Sequence, residues 1–391
     1  MRRFRRPLLV LGVLLLLDVL INVTVLADGQ VFGVRVAPFS PPLFTEHQEQ
    51  RIERARAQLA RGEMDGFVDA DLGWCPRADS ELGLYAYDAN AARRSSRLFP
   101  DTSTEGMRRI VAVGCSFTRG DEVASDEGWV ARLHDGRDDV DLANLGMGGY
   151  GLDQARLRMV RDGLPLAPDE VWLGWTPAVS YRVTTVFPPC LRHESGSAAF
   201  KPRYRIDAAG ELELVPMPVR DLTDFVAAFD EPERLYRTLL ATDDWVARSP
   251  ETYATYGESW WHFSAAGRFV ATVLERGERD PYASLRDPEF GLVALVTAIL
   301  RGFADDARTG GVTPRLVILP SHPDLVAASK GERPWAAVVD AVRDHMDVCD
   351  TTDALLAAGA HQDDAFWASG GHYSAQANAV VADALAATWL D

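Results

Sequence analysis

The sequence predicts an α/β fold in which helices cover both faces of a parallel β-sheet. Several apolar runs have the length of buried strands, and segments with helical periodicity lie between some of them, for example 152–160 and 335–345. Strands that alternate with helices form right-handed βαβ units, which predicts a three-layer, flavodoxin-like sheet. The apolar runs are 110–113, 140–145, 170–173, 316–319 and 346–349.

The composition fits one large domain, or one domain with a sizeable insertion. The chain has 391 residues, of which 47% are hydrophobic, and this is enough for a full core. The formal net charge of −17 argues against nucleic acid or an anionic membrane surface as a partner, because both carry dense negative charge.

The N-terminus has the features of a signal anchor at residues 1–28. A basic run at 1–6 precedes an almost wholly apolar stretch at 7–27, interrupted by Asp18 and Asn22. About twenty residues suffice to span a bilayer as a helix, and positive charge before the span predicts a cytoplasmic N-terminus. We therefore expect a single-pass membrane protein with an extracytoplasmic body. The alternative is a signal peptide that is cleaved at the end of the apolar stretch, which gives a secreted protein.

Residues 29–107 are predicted to form a stalk and an irregular segment, which precede a domain at 108–391. The stalk includes a polar helix at 45–60 that we expect on a solvated surface. Within the domain, the alternation of strands and helices lapses at 181–290, which indicates an insertion after the third strand. The insertion contains a predicted β-hairpin at 201–214.

The insertion also contains a group of aromatic residues, Trp245, Trp260 and Trp261, with His262 beside them. An insertion after the third strand lies near the active edge of such a sheet. These tryptophans either line a substrate cleft, where they can stack against sugar rings, or simply pack the insertion. The sequence leaves both interpretations open.

Ser116 is the first candidate for chemistry. It lies in the heptapeptide Gly-Cys-Ser-Phe-Thr-Arg-Gly at 114–120, directly after the first predicted strand. A serine on a turn between a strand and a helix lies at the carboxyl edge of the sheet, where α/β folds place their sites. Free backbone N–H groups at the start of the helix can stabilise an oxyanion there. Ser116 is therefore either a nucleophile for acyl transfer or a helix cap.

Two later segments complete a pattern with this heptapeptide. Asn-Leu-Gly-Met-Gly-Gly-Tyr-Gly at 144–151 and Gly-His-Tyr-Ser at 371–374 follow it in order. The three segments resemble the conserved blocks of the SGNH/GDSL hydrolase superfamily, and the resemblance covers roughly residues 108–391. It implies a three-layer α/β fold and hydrolysis or transfer of ester-linked acyl groups.

His372 is the histidine that best suits the role of general base for Ser116. A serine hydroxyl needs a base within hydrogen-bond reach, and the near-neutral pKa typical of histidine allows it to take and return the proton. His372 lies in a glycine-flanked loop before the last predicted helix, which returns to the sheet edge. We expect His322 and His134 to be surface or loop histidines instead.

The resemblance also implies oxyanion donors, of which one is missing. The backbone N–H groups of Ser116 and Gly149 are the first two, and the family supplies a third from an asparagine side chain after the third strand. This chain has no asparagine there, and Thr176 or Ala178 takes its place. A threonine hydroxyl can donate a hydrogen bond, whereas alanine cannot; loss of one donor typically costs about 100- to 1,000-fold in turnover.

The acid that orients the histidine is the second departure from the family. Relatives place an aspartate two or three residues before the histidine, where this chain has Ser369 and Gly370. Asp363 and Asp364 lie further upstream, and Asp364 is our candidate. The alternative is a Ser–His dyad in which a backbone carbonyl or a water orients the ring. Without its carboxylate a triad can lose about 10⁴-fold in turnover.

The cysteines do not indicate a metal or cofactor site. The four cysteines form no CxxC pair and show no metal-like spacing with histidine, so we expect no metal and no cofactor. Cys75 and Cys190 either pair, if the domain is exported, or remain separate thiols.

The sequence thus predicts an extracytoplasmic serine esterase or O-acyl transferase. Its substrate would be an acylated small molecule or polysaccharide, such as O-acetyl groups on envelope or exopolysaccharide sugars. The alternative is a catalytically silent protein that keeps the SGNH fold and binds glycan or assists assembly. The oligomeric state is not predicted.

Overall fold

The structure is a computed structural model, and it describes residues 2–21, 30–31, 34–35, 46–62, 68–100, 102–103, 105–188, 199–215, 217–244, 264, 267 and 281–391. The chain divides into two compact units. We call Met1–Asp65, Thr185–Lys201 and Pro218–Asp280 the N-terminal unit, and Gly66–Thr184, Pro202–Met217 and Pro281–Asp391 the sheet unit. This division does not coincide with the boundaries predicted from the sequence, because residues 66–107 belong to the sheet unit.

A five-stranded parallel sheet forms the centre of the sheet unit. Its strands are β1 (Arg108–Gly114), β2 (Val140–Asn144), β3 (Glu170–Trp175), β4 (Thr313–Ile318) and β5 (Asp347–Asp350). The spatial order is β2-β1-β3-β4-β5, and every neighbouring pair is parallel. This is the strand order of flavodoxin-like folds, so the predicted fold and all its predicted strands are confirmed.

The strands form where the apolar runs lie because the central strands are covered on both faces. Every residue of β2 and β3 is buried, as is all of β1 after Arg108. The covering helices contribute apolar faces, such as Leu295, Ile299 and Phe303. The helices of the described residues are α1 (Arg2–Leu20), α2 (Glu46–Ala60), α3 (Ser116–Arg119), α4 (Trp129–Gly136), α5 (Leu152–Arg158), α6 (Leu222–Asp230), α7 (Pro232–Thr242), α8 (Ala283–Arg286), α9 (Leu292–Thr309), α10 (His322–Ser329), α11 (Ala336–Val342), α12 (Thr352–Ala357) and α13 (Ala375–Trp389).

The N-terminal unit contains the predicted polar helix, which is α2. Our expectation that this helix lies on a solvated surface is only partly met, because Ile52 and Ala55 are buried. The Arg51 guanidinium lies over the Phe225 ring of α6 at 5.1 Å. One side of α2 therefore packs within the unit. In the described part of the chain, no helix is both long and apolar enough to cross a membrane.

The predicted hairpin of the insertion is confirmed. Arg203–Ile206 pairs with Leu212–Val215 in antiparallel register. The turn between them includes Gly210, whose φ of +87° suits glycine. The aromatic group at Trp245, Trp260, Trp261 and His262 lies outside the described residues.

Thr118 of α3 packs against the carboxyl ends of two neighbouring strands. A Cβ atom on Gly114 at the end of β1 would lie 2.2 Å from Thr118 Oγ1, and one on Gly174 of β3 would lie 2.0 Å from the same atom. Both strands therefore need glycine at these positions, because real Cβ contacts are never this short. This close approach fixes the short helix α3 at the carboxyl edge of the sheet.

Candidate active site

Ser116 is the first residue of α3, directly after the turn that ends β1. The residue in the cap position is Cys115, in an extended conformation, so Ser116 does not serve as the helix cap. Ser116 is 5% exposed. Among the described residues, none accepts a hydrogen bond from its backbone N–H or pairs with its hydroxyl. Both groups are therefore available to a substrate.

His372 lies on the loop before α13, and this loop contacts α3. An antiparallel bridge between Trp367 and Tyr373 closes the loop. The ring of Phe117, the residue after Ser116, lies 5.3 Å from the His372 ring and packs edge-on against Tyr373 at 4.8 Å between centroids. The structure thus brings the helix that begins with Ser116 against the loop that carries His372.

The carboxylate that contacts His372 is Glu122. Its Oε2 atom lies 2.6 Å from His372 Nδ1, and its Oε1 atom accepts a hydrogen bond from the Gly370 N–H at 2.6 Å. An ionised carboxylate can only accept hydrogen bonds, so Nδ1 carries the proton of this pair. Nε2 of His372 then has a free lone pair, as a general base requires.

Asp364, the acid that we predicted for this role, does not make the orienting contact. It is exposed in a 3₁₀ turn, and its backbone carbonyl accepts a hydrogen bond that closes the turn. Ser369 and Gly370 stand where relatives have aspartate, and both donate hydrogen bonds to Glu122, at 3.3 and 2.6 Å. The contact predicted for Asp364 is therefore made by Glu122, whose carboxylate also organises the loop before His372.

The hydrogen bonds to Glu122 affect its ionisation. Burial alone would raise the pKa of Glu122, but the hydrogen bonds from His372 and from the Gly370 N–H outweigh it and hold the pKa below its ordinary value of 4.5. A carboxyl group with a lowered pKa stabilises the folded state at neutral pH. That contribution is lost as the pH falls from about 4.5 through the lower pKa of the folded protein.

Sequence reasoning missed Glu122 because the family pattern directs attention to the residues just before His372. The Glu122–His372 pair joins residues 250 positions apart. Glu122 also has a φ of +66°, in the left-handed region that residues other than glycine rarely adopt. The available signal was the position of Glu122 on the loop after α3, at the same sheet edge as Ser116.

Gly149, the predicted second oxyanion donor, is exposed and has a φ of +80°. A Cβ atom at this position would lie 3.3 Å from the Trp74 ring, and the Trp74 indole N–H donates to the neighbouring Gly148 carbonyl at 3.0 Å. Within the described part of the chain, no group accepts a hydrogen bond from the Gly149 N–H. This N–H and that of Ser116 are thus two backbone donors that have no hydrogen-bond partner among the described residues.

Thr176, the predicted third donor, directly follows β3 and is 1% exposed. Its Oγ1 atom lies 3.6 Å from Cys115 Sγ, beside the turn that leads to Ser116. Ala178, the alternative at this position, is also buried. The structure places the Thr176 hydroxyl next to the nucleophile turn, and its role as an oxyanion donor stays a prediction.

The expectation that His134 is a surface or loop histidine is wrong: it is 1% exposed and lies within α4, which packs on β2. Its Nδ1 atom accepts from the Leu142 N–H of β2 at 3.1 Å, and its Nε2 atom contacts the Arg97 carbonyl at 3.0 Å. Burial lowers the pKa of His134 and so favours the neutral ring. His322 is exposed and packs edge-on against Trp367.

The cysteines that the structure describes are free thiols. Cys75, Cys115 and Cys349 are buried and unpaired by disulfides. Burial raises the pKa of Cys75 and of Cys349, which keeps both thiols protonated. Cys190, the other member of the predicted Cys75–Cys190 pair, lies outside the described residues.

No family model and no curated protein matches the chain. Solved structures do match it. A member of the lipolytic G-D-S-L family from Veillonella parvula is 11% identical with a TM-score of 0.36, covering 72% of this chain and 98% of that one. An acetylxylan esterase from Geobacillus stearothermophilus is 11% identical with a TM-score of 0.37, covering 73% of this chain and 95% of that one.

A third similar structure is a lipase/acylhydrolase from Enterococcus faecalis. It is 16% identical with a TM-score of 0.35, covering 71% of this chain and 93% of that one. At these identities the similarity concerns the fold alone. The flavodoxin-like fold is established by the sheet order of the chain itself.

Proposed function

We propose that the protein is a serine esterase or O-acyl transferase of the SGNH type, with Ser116, His372 and Glu122 as its catalytic triad. The contact of the Glu122 carboxylate with His372 Nδ1, at 2.6 Å, carries the proposal. A buried or half-buried carboxylate on Nδ1 is the arrangement that makes Nε2 of a histidine a base for a serine hydroxyl. The packing of Phe117 on His372 supports the placement of Ser116 beside that base.

The proposed reaction has two steps. In the first, Ser116 Oγ attacks the acyl carbonyl while His372 Nε2 takes the hydroxyl proton, and the same proton then goes to the leaving alcohol. In the second, a water or an acceptor hydroxyl gives its proton to His372 and attacks the acyl-serine; His372 then returns that proton to Ser116 Oγ as the acyl–Oγ bond breaks, which releases the acid or the transferred ester. Glu122 stays ionised throughout and stabilises the imidazolium. The Ser116 and Gly149 N–H groups receive the developing oxyanion.

We propose a short acyl group, such as acetyl, as the group transferred. A cavity of about 10 Å³ borders the nucleophile turn, room for about one water molecule. Its lining includes Cys115, which precedes Ser116, and Tyr150, which follows Gly149, together with Thr176. Ser116 and His372 do not line this cavity themselves, but a long acyl chain that enters on the Cys115 side of Ser116 would have to displace the packing around it. An O-acetylated sugar of the envelope or of an exopolysaccharide is the substrate class that we propose.

We also propose that the body of the protein lies outside the cytoplasm. The basic run at 1–6 and the apolar stretch at 7–27 support this proposal. An alkaline phosphatase fusion to the C-terminus tests it, because this reporter is active only outside the cytoplasm. Fractionation of the same fusion distinguishes a membrane-anchored protein from a secreted one.

The substrate proposal is tested with p-nitrophenyl esters of increasing chain length. We expect kcat/KM for the acetate to exceed that for the decanoate by at least about 10-fold, because each methylene that does not fit costs about 1 kcal/mol or more. Release of acetate from a panel of acetylated polysaccharides identifies the acceptor. Equal rates for both esters contradict the short acyl group, and glycan binding without any ester turnover supports a catalytically silent binding protein instead.

A further inference from the structure

The loop that carries Glu122 is held by a residue from outside the three family blocks. Arg93 lies in the irregular segment before β1 and is 6% exposed. Its Nη1 atom donates to the Arg119 carbonyl at 2.6 Å and to the Gly120 carbonyl, and its Nη2 atom donates to the Val123 carbonyl at 2.6 Å. One guanidinium therefore binds the backbone on both sides of Glu122.

The space for this guanidinium is built into the loop. Gly120 has a φ of +79°, and a Cβ atom there would lie 2.8 Å from Arg93 Nη1. The backbone of Arg93 is itself anchored, because its N–H donates to the Asn144 carbonyl at the end of β2 at 2.8 Å. Arg93 thus ties the Glu122 loop to the sheet.

Tyr85 contacts the same loop. Its hydroxyl accepts a hydrogen bond from the Glu122 N–H at 3.3 Å, and the guanidinium groups of Arg93 and Arg119 lie over its ring at 5.1 and 4.2 Å. Arg119 in turn forms a buried ion pair with Asp121, at 2.6 Å between Nη2 and Oδ2. Charged and aromatic groups on two segments therefore fix the residues that flank Glu122.

Glu122 needs this support because its backbone conformation is unfavourable. A left-handed φ is unfavourable for a residue other than glycine, and Glu122 has a φ of +66°. Such a conformation persists only where the surroundings enforce it. The carboxylate of this residue binds the Gly370 N–H and His372 Nδ1, each at 2.6 Å, so a change in the Glu122 backbone changes the geometry of its contact with the histidine ring.

We propose that Arg93 is a positioning residue for catalysis: it holds the loop of Glu122 so that the carboxylate orients His372. The proposal rests on the function proposed above and extends the working site to the segment before β1. The arginine is suited to this task because its planar fork reaches three carbonyls at once. A lysine ammonium keeps the charge but cannot reproduce that geometry.

The test compares Arg93→Lys with Arg94→Lys, the same change at the next residue. Arg94 is a matched control, because its side chain is 38% exposed and its ion pair with Asp79 spans 3.5 Å. We expect Arg93→Lys to lower kcat for p-nitrophenyl acetate about 10- to 100-fold with KM unchanged, as small misplacements of catalytic groups do. Arg94→Lys should retain the wild-type kcat. Each rate is divided by the folded fraction of the variant, which is measured by near-ultraviolet circular dichroism.

The ring ¹⁵N chemical shifts of His372 give a second readout that needs no turnover. They report which ring nitrogen carries the proton, and we expect the Nδ1–H form in the wild type and in Arg94→Lys, but a mixture of tautomers in Arg93→Lys. Wild-type kcat and a wild-type tautomer in folded Arg93→Lys would overturn the proposal. If the wild type hydrolyses no ester, the proposed function fails, while the tautomer comparison still decides the role of Arg93.

Discussion

Replacement of Ser116 by alanine will lower kcat for p-nitrophenyl acetate by about 10⁴- to 10⁶-fold, to the level of residual catalysis by the oxyanion donors alone. His372→Ala will have an effect of similar size. Because the nucleophile and its base act as one unit, the double variant will fall no further than either single one. Steady-state hydrolysis measured on the purified variants checks all three values.

The control for this series is Ser125→Ala. Ser125 is an exposed serine on the loop after the Glu122 segment, so its replacement should leave kcat and stability unchanged. Equal rates for wild type and Ser116→Ala would contradict the proposed nucleophile. If the losses in kcat of the two single variants add in the double variant, then Ser116 and His372 do not act as one unit.

Glu122→Gln will lower kcat by up to about 10⁴-fold, the loss expected when the carboxylate that orients a catalytic histidine becomes an amide. Glutamine keeps the size of the side chain but removes the charge that stabilises the imidazolium, and its NH₂ group can favour the wrong tautomer of His372. KM should change little, because Glu122 contacts Nδ1 of His372, whereas the proposed reaction takes place at Nε2. Measurement of kcat and KM for p-nitrophenyl acetate checks both values.

Two further variants distinguish Glu122 from other carboxylates that could be assigned the same role. Asp364→Asn replaces the acid that the family spacing suggested, and the exposed position of Asp364 predicts a wild-type kcat. Glu127→Gln changes a nearby carboxylate that accepts a local hydrogen bond from the Ala124 N–H at 2.9 Å, and kcat should again be retained. A large loss of kcat in Asp364→Asn, together with full activity in Glu122→Gln, would show that Asp364 is the acid that orients His372, as the sequence predicted.

The sheet and the position of Ser116, the proposed nucleophile, could be predicted from the sequence because both depend on local patterns. Buried parallel strands are continuous apolar runs, and each predicted run coincides with a strand within a few residues, for example 110–113 within Arg108–Gly114. Ser116 follows β1 after a single residue, Cys115. The position of His372 before the last helix followed from the same alternation of elements.

The orienting acid could not be predicted because it depends on tertiary contacts. The left-handed backbone of Glu122 goes against the preference of its residue type, and the groups that contact this loop include a buried arginine and a tyrosine from the segment before β1. The burial of Ile52 in α2 was missed for a related reason. In a mostly polar helix, an apolar stripe is hard to recognise when only a few positions pack against the rest of the protein.

The most direct test of the account is to map the site at which an organophosphate that mimics the acyl substrate reacts. Diethyl p-nitrophenyl phosphate phosphorylates an activated serine and releases p-nitrophenol, and peptide mass spectrometry then locates the adduct. We predict one adduct per molecule, on Ser116, which forms much more slowly in His372→Ala and in Glu122→Gln. An adduct on another residue, or a protein that hydrolyses esters at full rate while Ser116 stays unmodified, would contradict the account.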